Sequence, residues 1–215
     1  MKEKVKTLLA QQNYDGLIQL SYCGGRILSA LISLTYDKKS LIAWRAIEAV
    51  GLISGEIAKT KPELVRNTVG RLLWMIRDES GGIGWSSPEM LGEIVRNNPE
   101  QFADIAPIIV SFLDEDMLSA GVLRAIERIG GKDAELVRHS APLILPYLHN
   151  SDPLLRGLAA WAIGWIGPAE TVAELERLQG DGNKIIIYDE GELKEKTVGE
   201  LAGRAIKEIN SLAGG

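Results

Sequence analysis

The sequence predicts an all-α chain of stacked helical hairpins, an α-solenoid, with one small β-hairpin near the C-terminus. Three observations predict it. Five segments repeat one pattern of small and apolar residues at helical spacing: Ala43 to Gly51, Pro88 to Ile94, Leu123 to Gly130, Ala160 to Gly167 and Gly203 to Ile209. Other apolar stripes of helical period lie between them, so the chain alternates helix, turn, helix. One β-branched run, Ile185-Ile186-Ile187, breaks the series near its end.

The repeat is anchored on Ile47, Leu91, Ile126, Ile163 and Ile206, separated by 44, 35, 37 and 43 residues. Each anchor has a second apolar residue three positions on, at Val50, Ile94, Ile129, Ile166 and Ile209. An i, i+3 apolar pair with a small residue just before it is the buried stripe of a helix packed closely against neighbours. A hairpin of two such helices cannot bury its apolar face alone, so successive hairpins must stack.

Taken in order, residues 1–40 read as N-terminal capping helices, with apolar spacing at Val5, Leu8 and Leu9, then Leu17 and Ile18, then Ile27, Leu28, Leu31 and Ile32. Residues 41–183 read as the repeats and 184–215 as a hairpin and terminal helix, all in one domain. Leu64 to Ile76 is a partner helix with Pro62 in its first turn, where proline is tolerated. Phe102 to Leu113, Ala141 to Leu148 and Thr171 to Leu178 are the next three, and Pro107 and Pro146 are positions where such helices kink. The Asp-Glu-Gly turn after Tyr188 and the alternating Glu192-Leu193-Lys194 segment complete a β-hairpin, which caps the open end of the stack; docking by its edge strand is the alternative.

The stretch from Pro142 to Gly167 carries Asp152 in the inter-helix turn, Arg156 early in the second helix, then Ala159, Ala160 and Ala162, and a closing Ile166-Gly167. It resembles a bacterial HEAT-like (armadillo-type) repeat and is similar to the phycobilin-lyase-type HEAT repeats. The resemblance covers the chain from about Ile42 onward, although only this unit carries the polar signature; the third has Glu115 and Ser119 at those places, the first Tyr36 and Ser40. It implies a right-handed α-solenoid. It does not by itself imply one activity, because such repeats serve scaffolds, bilin lyases and a few DNA glycosylases.

In each second helix the residues two before and two after the anchor point away from the anchor stripe. They form the pairs Arg45/Ala49, Glu89/Glu93, Arg124/Arg128, Trp161/Trp165 and Arg204/Glu208. Stacked in register, they are expected to lie side by side on one open, concave surface. Three readings stand beside one another: an inter-repeat ladder with Trp161 and Trp165 stacked on Arg124 and Arg128; a partner-binding groove; and acid/base or metal chemistry at Glu89 and Glu93. The expected contact residues are Arg45, Trp85, Glu89, Glu93, Arg124, Arg128, Trp161 and Trp165, with Trp85 presented from a Gly81-Gly82-Ile83-Gly84 loop. That loop reads either as an aromatic anchor at the rim or as a long turn folded onto the core; no Lys follows its glycines, so it is not a P-loop.

Hydrophobic residues are 46% of the 215 and charged residues 25%, an ordinary globular balance that excludes a largely disordered chain. The net charge of −5 argues against a general nucleic-acid binder, and no apolar run reaches the roughly 20 residues of a membrane span. The single Cys23, in a turn after Tyr22, suits a reducing cytoplasm and reads as an idle thiol; His139 and His149 have no ligand spacing around them. The expected function is therefore non-catalytic binding of another protein on the concave helical surface, with no catalytic residue, metal or cofactor, no nucleic acid and no membrane. The alternative, implied by the resemblance, is an accessory lyase or chaperone-like factor that attaches a tetrapyrrole or other cofactor to a client.

Overall fold

A computed structural model describes residues 1–22, 26–77 and 84–213. The helices are α1 (Lys2–Ala10), α2 (Tyr14–Tyr22), α3 (Arg26–Ile32), α4 (Leu41–Ala58), α5 (Pro62–Arg77), α6 (Ser87–Asn97), α7 (Pro99–Phe102), α8 (Ala106–Val110), α9 (Ser119–Gly130), α10 (Ala141–Ile144), α11 (Pro153–Ile166) and α12 (Val172–Leu178). Strands β1 (Lys184–Asp189) and β2 (Glu192–Thr197) follow, then α13 (Val198–Ala213). The expected all-α architecture of helical hairpins, with one small β-hairpin near the C-terminus, is the one observed. Cys23 and Gly81 to Ile83 lie outside the described residues.

Contacts group the chain into two compact units. The first comprises Met1–Ile105 together with Glu190–Glu192, and the second Ala106–Asp189 together with Leu193 onward. In the first unit α4 packs against α2, α3, α5 and α6, and Ile47, Val50 and Ile53 of α4 are buried, as are Leu31, Leu72 and Leu91 on three of those neighbouring helices. In the second, α11 is held between α9 and α13 and buries Trp161, Ile163 and Ile166.

Two glycines permit these close crossings. A Cβ on Gly51 would lie 2.5 Å from the Glu93 carbonyl oxygen, and one on Gly164 would lie 2.8 Å from Ala205 Cα. Both obstacles are backbone and cannot rotate away. Gly51→Ala and Gly164→Ala are each expected to cost about 1–3 kcal/mol of strain, against a helix-propensity gain of about 1 kcal/mol. A fall in the urea midpoint is therefore the expected result; a rise for both would remove close approach as the reason for these glycines.

The prolines decide where partner helices break. Phe102 to Leu113, expected as one helix, is α7, a 3-10 turn over Ala103–Ile105, and α8 with Pro107 in its first turn. Ala141 to Leu148 is likewise α10 followed by a 3-10 turn over Leu145–His149 that contains Pro146. A proline lacks the donor for the i−4 carbonyl and its ring clashes there, so the chain tightens into i, i+3 turns.

Local signals account for the helix ends near the repeat signature. Asp152 caps α11 by accepting the Leu154 N–H at 2.8 Å. Arg156 donates from Nε and Nη2 to Asp181 and from Nη1 to the Asn150 and Ser151 carbonyls. Burial pushes the Asp181 carboxyl up, but the Asn183 N–H and Arg156 outweigh it and hold the group below its usual value. The aspartate and arginine of the repeat signature thus fasten one inter-helix turn from opposite sides. Ser86 immediately precedes α6, and its hydroxyl donates to the Thr35 carbonyl.

The hairpin turn has Glu190 at φ 52° and Gly191 at φ 81°, the positive pair of a two-residue type I′ turn. At the start of α13, Thr197 and Glu200 exchange reciprocal bonds with each other's backbone N–H, a capping box. Val198, next to the capping Thr197, is accordingly the first residue of α13.

Candidate functional site

The predicted contact residues fall into two groups. Arg45, Glu89, Glu93, Arg124 and Trp161 are only 2–5% exposed, which overturns the expectation that they line an open face. Arg128 and Trp165 are half-buried. Trp85 sits in a short 3-10 turn, Gly84–Ser86, and its side chain lies outside the described residues. The reason for the correction is geometric. Within each unit a second helix touches its own hairpin partner and also the helices of adjoining hairpins, so the face opposite the anchor stripe is covered as well.

In the first unit Arg45 is committed to internal bonds. Its Nη1 donates to the Leu9 and Ala10 carbonyls at the C-terminal end of α1, at 3.1 and 2.9 Å. Its Nε donates to the Gly191 carbonyl and its Nη2 to Glu192, at 3.1 and 2.8 Å. A cation at a helix C-terminus is favoured by the carbonyls left unpaired there. Glu89 pairs with Lys38 at 2.5 Å through one carboxylate oxygen, while its other oxygen is buried without a partner.

The second unit holds an aromatic–cation stack. Trp161 has the Arg124 guanidinium 4.5 Å and the Arg204 guanidinium 4.9 Å from its ring centroid. Arg124 also pairs with Glu127 at 2.5 Å and donates to the Tyr188 carbonyl at 2.6 Å. Arg204 reaches outward to Asp189 at 3.3 Å, where Lys194 also arrives at 3.4 Å. Trp165 lies close to the end of α9, where a Cβ on Gly131 would be 3.2 Å from its Cε2. The Ile-Gly-Gly ending of α9 leaves room for that ring.

Beside Arg204, between the hairpin and α13, runs an open groove of about 710 Å³ whose lining includes Ile187, Asp189, Lys194, Lys196, Glu200 and Lys207. The sequence reading named none of these as contact residues. Its available signals were the period-2 pair Lys194 and Lys196 on a strand and the i, i+3 pair Arg204 and Lys207 on a helix. The first unit carries smaller depressions, of about 280 and 230 Å³, around Tyr22, Ile57 and Leu64.

Among the described residues no group of three or more His, Cys, Asp or Glu side chains is placed to hold a metal ion. His149 lies 3.2 Å from Glu174, with the imidazole largely exposed. Among the described residues no helix is long and apolar enough to cross a membrane.

No family model matches the chain. An uncharacterised protein from Archaeoglobus fulgidus is 36% identical over 115 residues, which are 53% of this chain and 57% of that protein. The match thus spans little more than half of the curated relative's length. Among solved structures, an engineered protein aligns over 98% of this chain and 96% of its own at 17% identity with a TM-score of 0.55, a likeness of fold alone. An archaeal HEAT-like repeats protein from Thermococcus onnurineus NA1 aligns over 98% and 81% at 15% identity, with a TM-score of 0.44.

Proposed function

We propose that the chain is a non-catalytic protein-interaction module of the cytoplasm, and that its partner contact centres on Arg128 and Trp165. One observation supports this choice above the others: of the arginine and tryptophan rows on α9 and α11, these two side chains remain partly open while Arg124 and Trp161 are buried. Tryptophan and arginine are the side chains most enriched where interfaces concentrate their binding energy. The buried Arg124–Trp161 stack one helical turn away on the same two helices supports a rigid platform, which lowers the ordering cost of binding. Arg124 and Trp161 then contribute by holding that surface in shape.

The test is affinity capture from native cell extract with wild type and an Arg128→Ala, Trp165→Ala variant, with melting curves for both. A partner held by wild type and lost by a variant of unchanged Tm is the expected result. Recovery of the same proteins by both chains would remove this surface from consideration. No observation at the site favours the cofactor-attachment alternative.

A further inference from the structure

We infer that the groove between the β-hairpin and α13 binds an acidic peptide segment, a site separate from the Arg128–Trp165 surface. Its lining sets four cations, Lys194, Lys196, Arg204 and Lys207, against two carboxylates, Asp189 and Glu200. The chain as a whole carries −5, so this local excess of positive charge runs against its composition. Lys194 and Arg204 converge on a single oxygen of Asp189, and Lys196 pairs with Glu200 at 3.1 Å. Lys207 is exposed and has no ion-pair partner among the described residues. A carboxylate arriving in the groove therefore meets one uncommitted cation and a doubly shared carboxylate that can release another.

The floor is apolar. Ile187 and Leu201 are buried beneath the cations, and Ile206 is half-buried beside them. Closely spaced cations over an apolar floor suit a ligand whose charges alternate with aliphatic side chains. Asp189 and Glu200 in the same lining disfavour a phosphodiester backbone, which carries a charge on every unit and would meet both carboxylates. The volume of about 710 Å³ lies within the range of about 300–1,000 Å³ usual for ligand pockets.

Gly203 is the second, independent observation. It lies inside α13 and lines the groove, and a Cβ built on it would meet nothing within 4 Å. Glycine in a helix interior is unfavourable relative to alanine. Gly164 and Gly199 have close backbone neighbours that account for them; Gly203 has no such neighbour in this chain. Its bare backbone leaves room for a ligand to lie against the helix beside Lys207 and Arg204. Gly70, in α5, is equally open but exposed and outside any groove described here, which makes it the natural control.

The experiment measures fluorescence anisotropy of a fluorescein-labelled peptide of alternating glutamate and leucine, titrated with the full chain at low and moderate salt. Saturable, salt-sensitive binding is expected. Lys207→Glu is expected to weaken it at least tenfold. Gly203→Leu, which fills the open space, is expected to abolish binding with Tm equal to or above that of wild type, whereas Gly70→Leu leaves affinity unchanged. Absence of saturable binding, equal affinity in Gly203→Leu, or equally tight binding of a labelled oligothymidylate of matched length would each overturn the inference. The Arg128→Ala, Trp165→Ala variant should bind the peptide as wild type does, which keeps this result distinct from the partner-capture test.

Discussion

A Trp161→Ala variant is expected to lose about 3–5 kcal/mol of stability, the usual cost of truncating a large buried aromatic. Trp161 is 2% exposed at the centre of α11, and its ring fills the space between the Arg124 and Arg204 guanidiniums. Removing it opens a cavity and also takes the aromatic face from a buried cation, whose alternative partners are fixed. For a chain of this length such a loss corresponds to a fall in Tm on the order of 10 °C. Trp161→Phe keeps an aromatic face between the arginines and should fall less than half as far. Differential scanning calorimetry of the three proteins decides the matter: equal Tm for wild type and Trp161→Ala would mean that the stack contributes nothing to the fold.

Arg124→Ala is expected to be comparably damaging for a different reason. Arg124 and Glu127 are each 5% exposed and pair at 2.5 Å, and the same guanidinium satisfies the Tyr188 carbonyl. Deleting the cation leaves a carboxylate buried without its counter-charge, a change that costs about 3–5 kcal/mol. The pair itself is a weaker asset than its loss suggests, because both charges were desolvated to form it. An Arg124→Met, Glu127→Leu double variant should therefore recover most of the stability that Arg124→Ala loses. A double variant no more stable than the single one in urea titration would show that the damage comes from lost packing on Trp161 rather than from the stranded charge.

The two expectations bear on function through the same elements. Arg124 and Trp161 hold α9 and α11 in register, and the half-open Arg128 and Trp165 sit on those helices. A variant of the inner pair should therefore weaken partner capture only in proportion to its loss of folded protein. A variant of the outer pair should weaken capture without touching Tm.

Much of the fold was legible along the chain because its signals are local. The spacing of Ile47, Leu91, Ile126, Ile163 and Ile206 marks helices that must bury one stripe. Thr197 and Glu200 mark the start of α13, and the Glu190-Gly191 pair marks a turn that requires positive φ at both positions. Pro107 and Pro146 marked where two partner helices would kink, although their division into short helices and 3-10 turns depended on local geometry.

Which side chains remain accessible was decided only by tertiary structure. Helical periodicity says that Arg45, Glu89 and Trp161 lie opposite the anchor stripe, but not whether that opposite face is covered by another helix. Burial depends on contacts between residues far apart in sequence, such as Arg45 with Leu9 or Arg124 with Tyr188. The groove lined by Lys194, Lys196 and Lys207 has the same origin, since two of those residues come from a strand and one from the following helix. The sequence by itself determined that this chain folds as stacked helical hairpins with a β-hairpin before its last helix, because each of those elements is specified by residues within a few positions of one another. Tertiary packing alone decided which of its charges stabilise the interior and which remain open, because burial belongs to the assembled stack and to no single element.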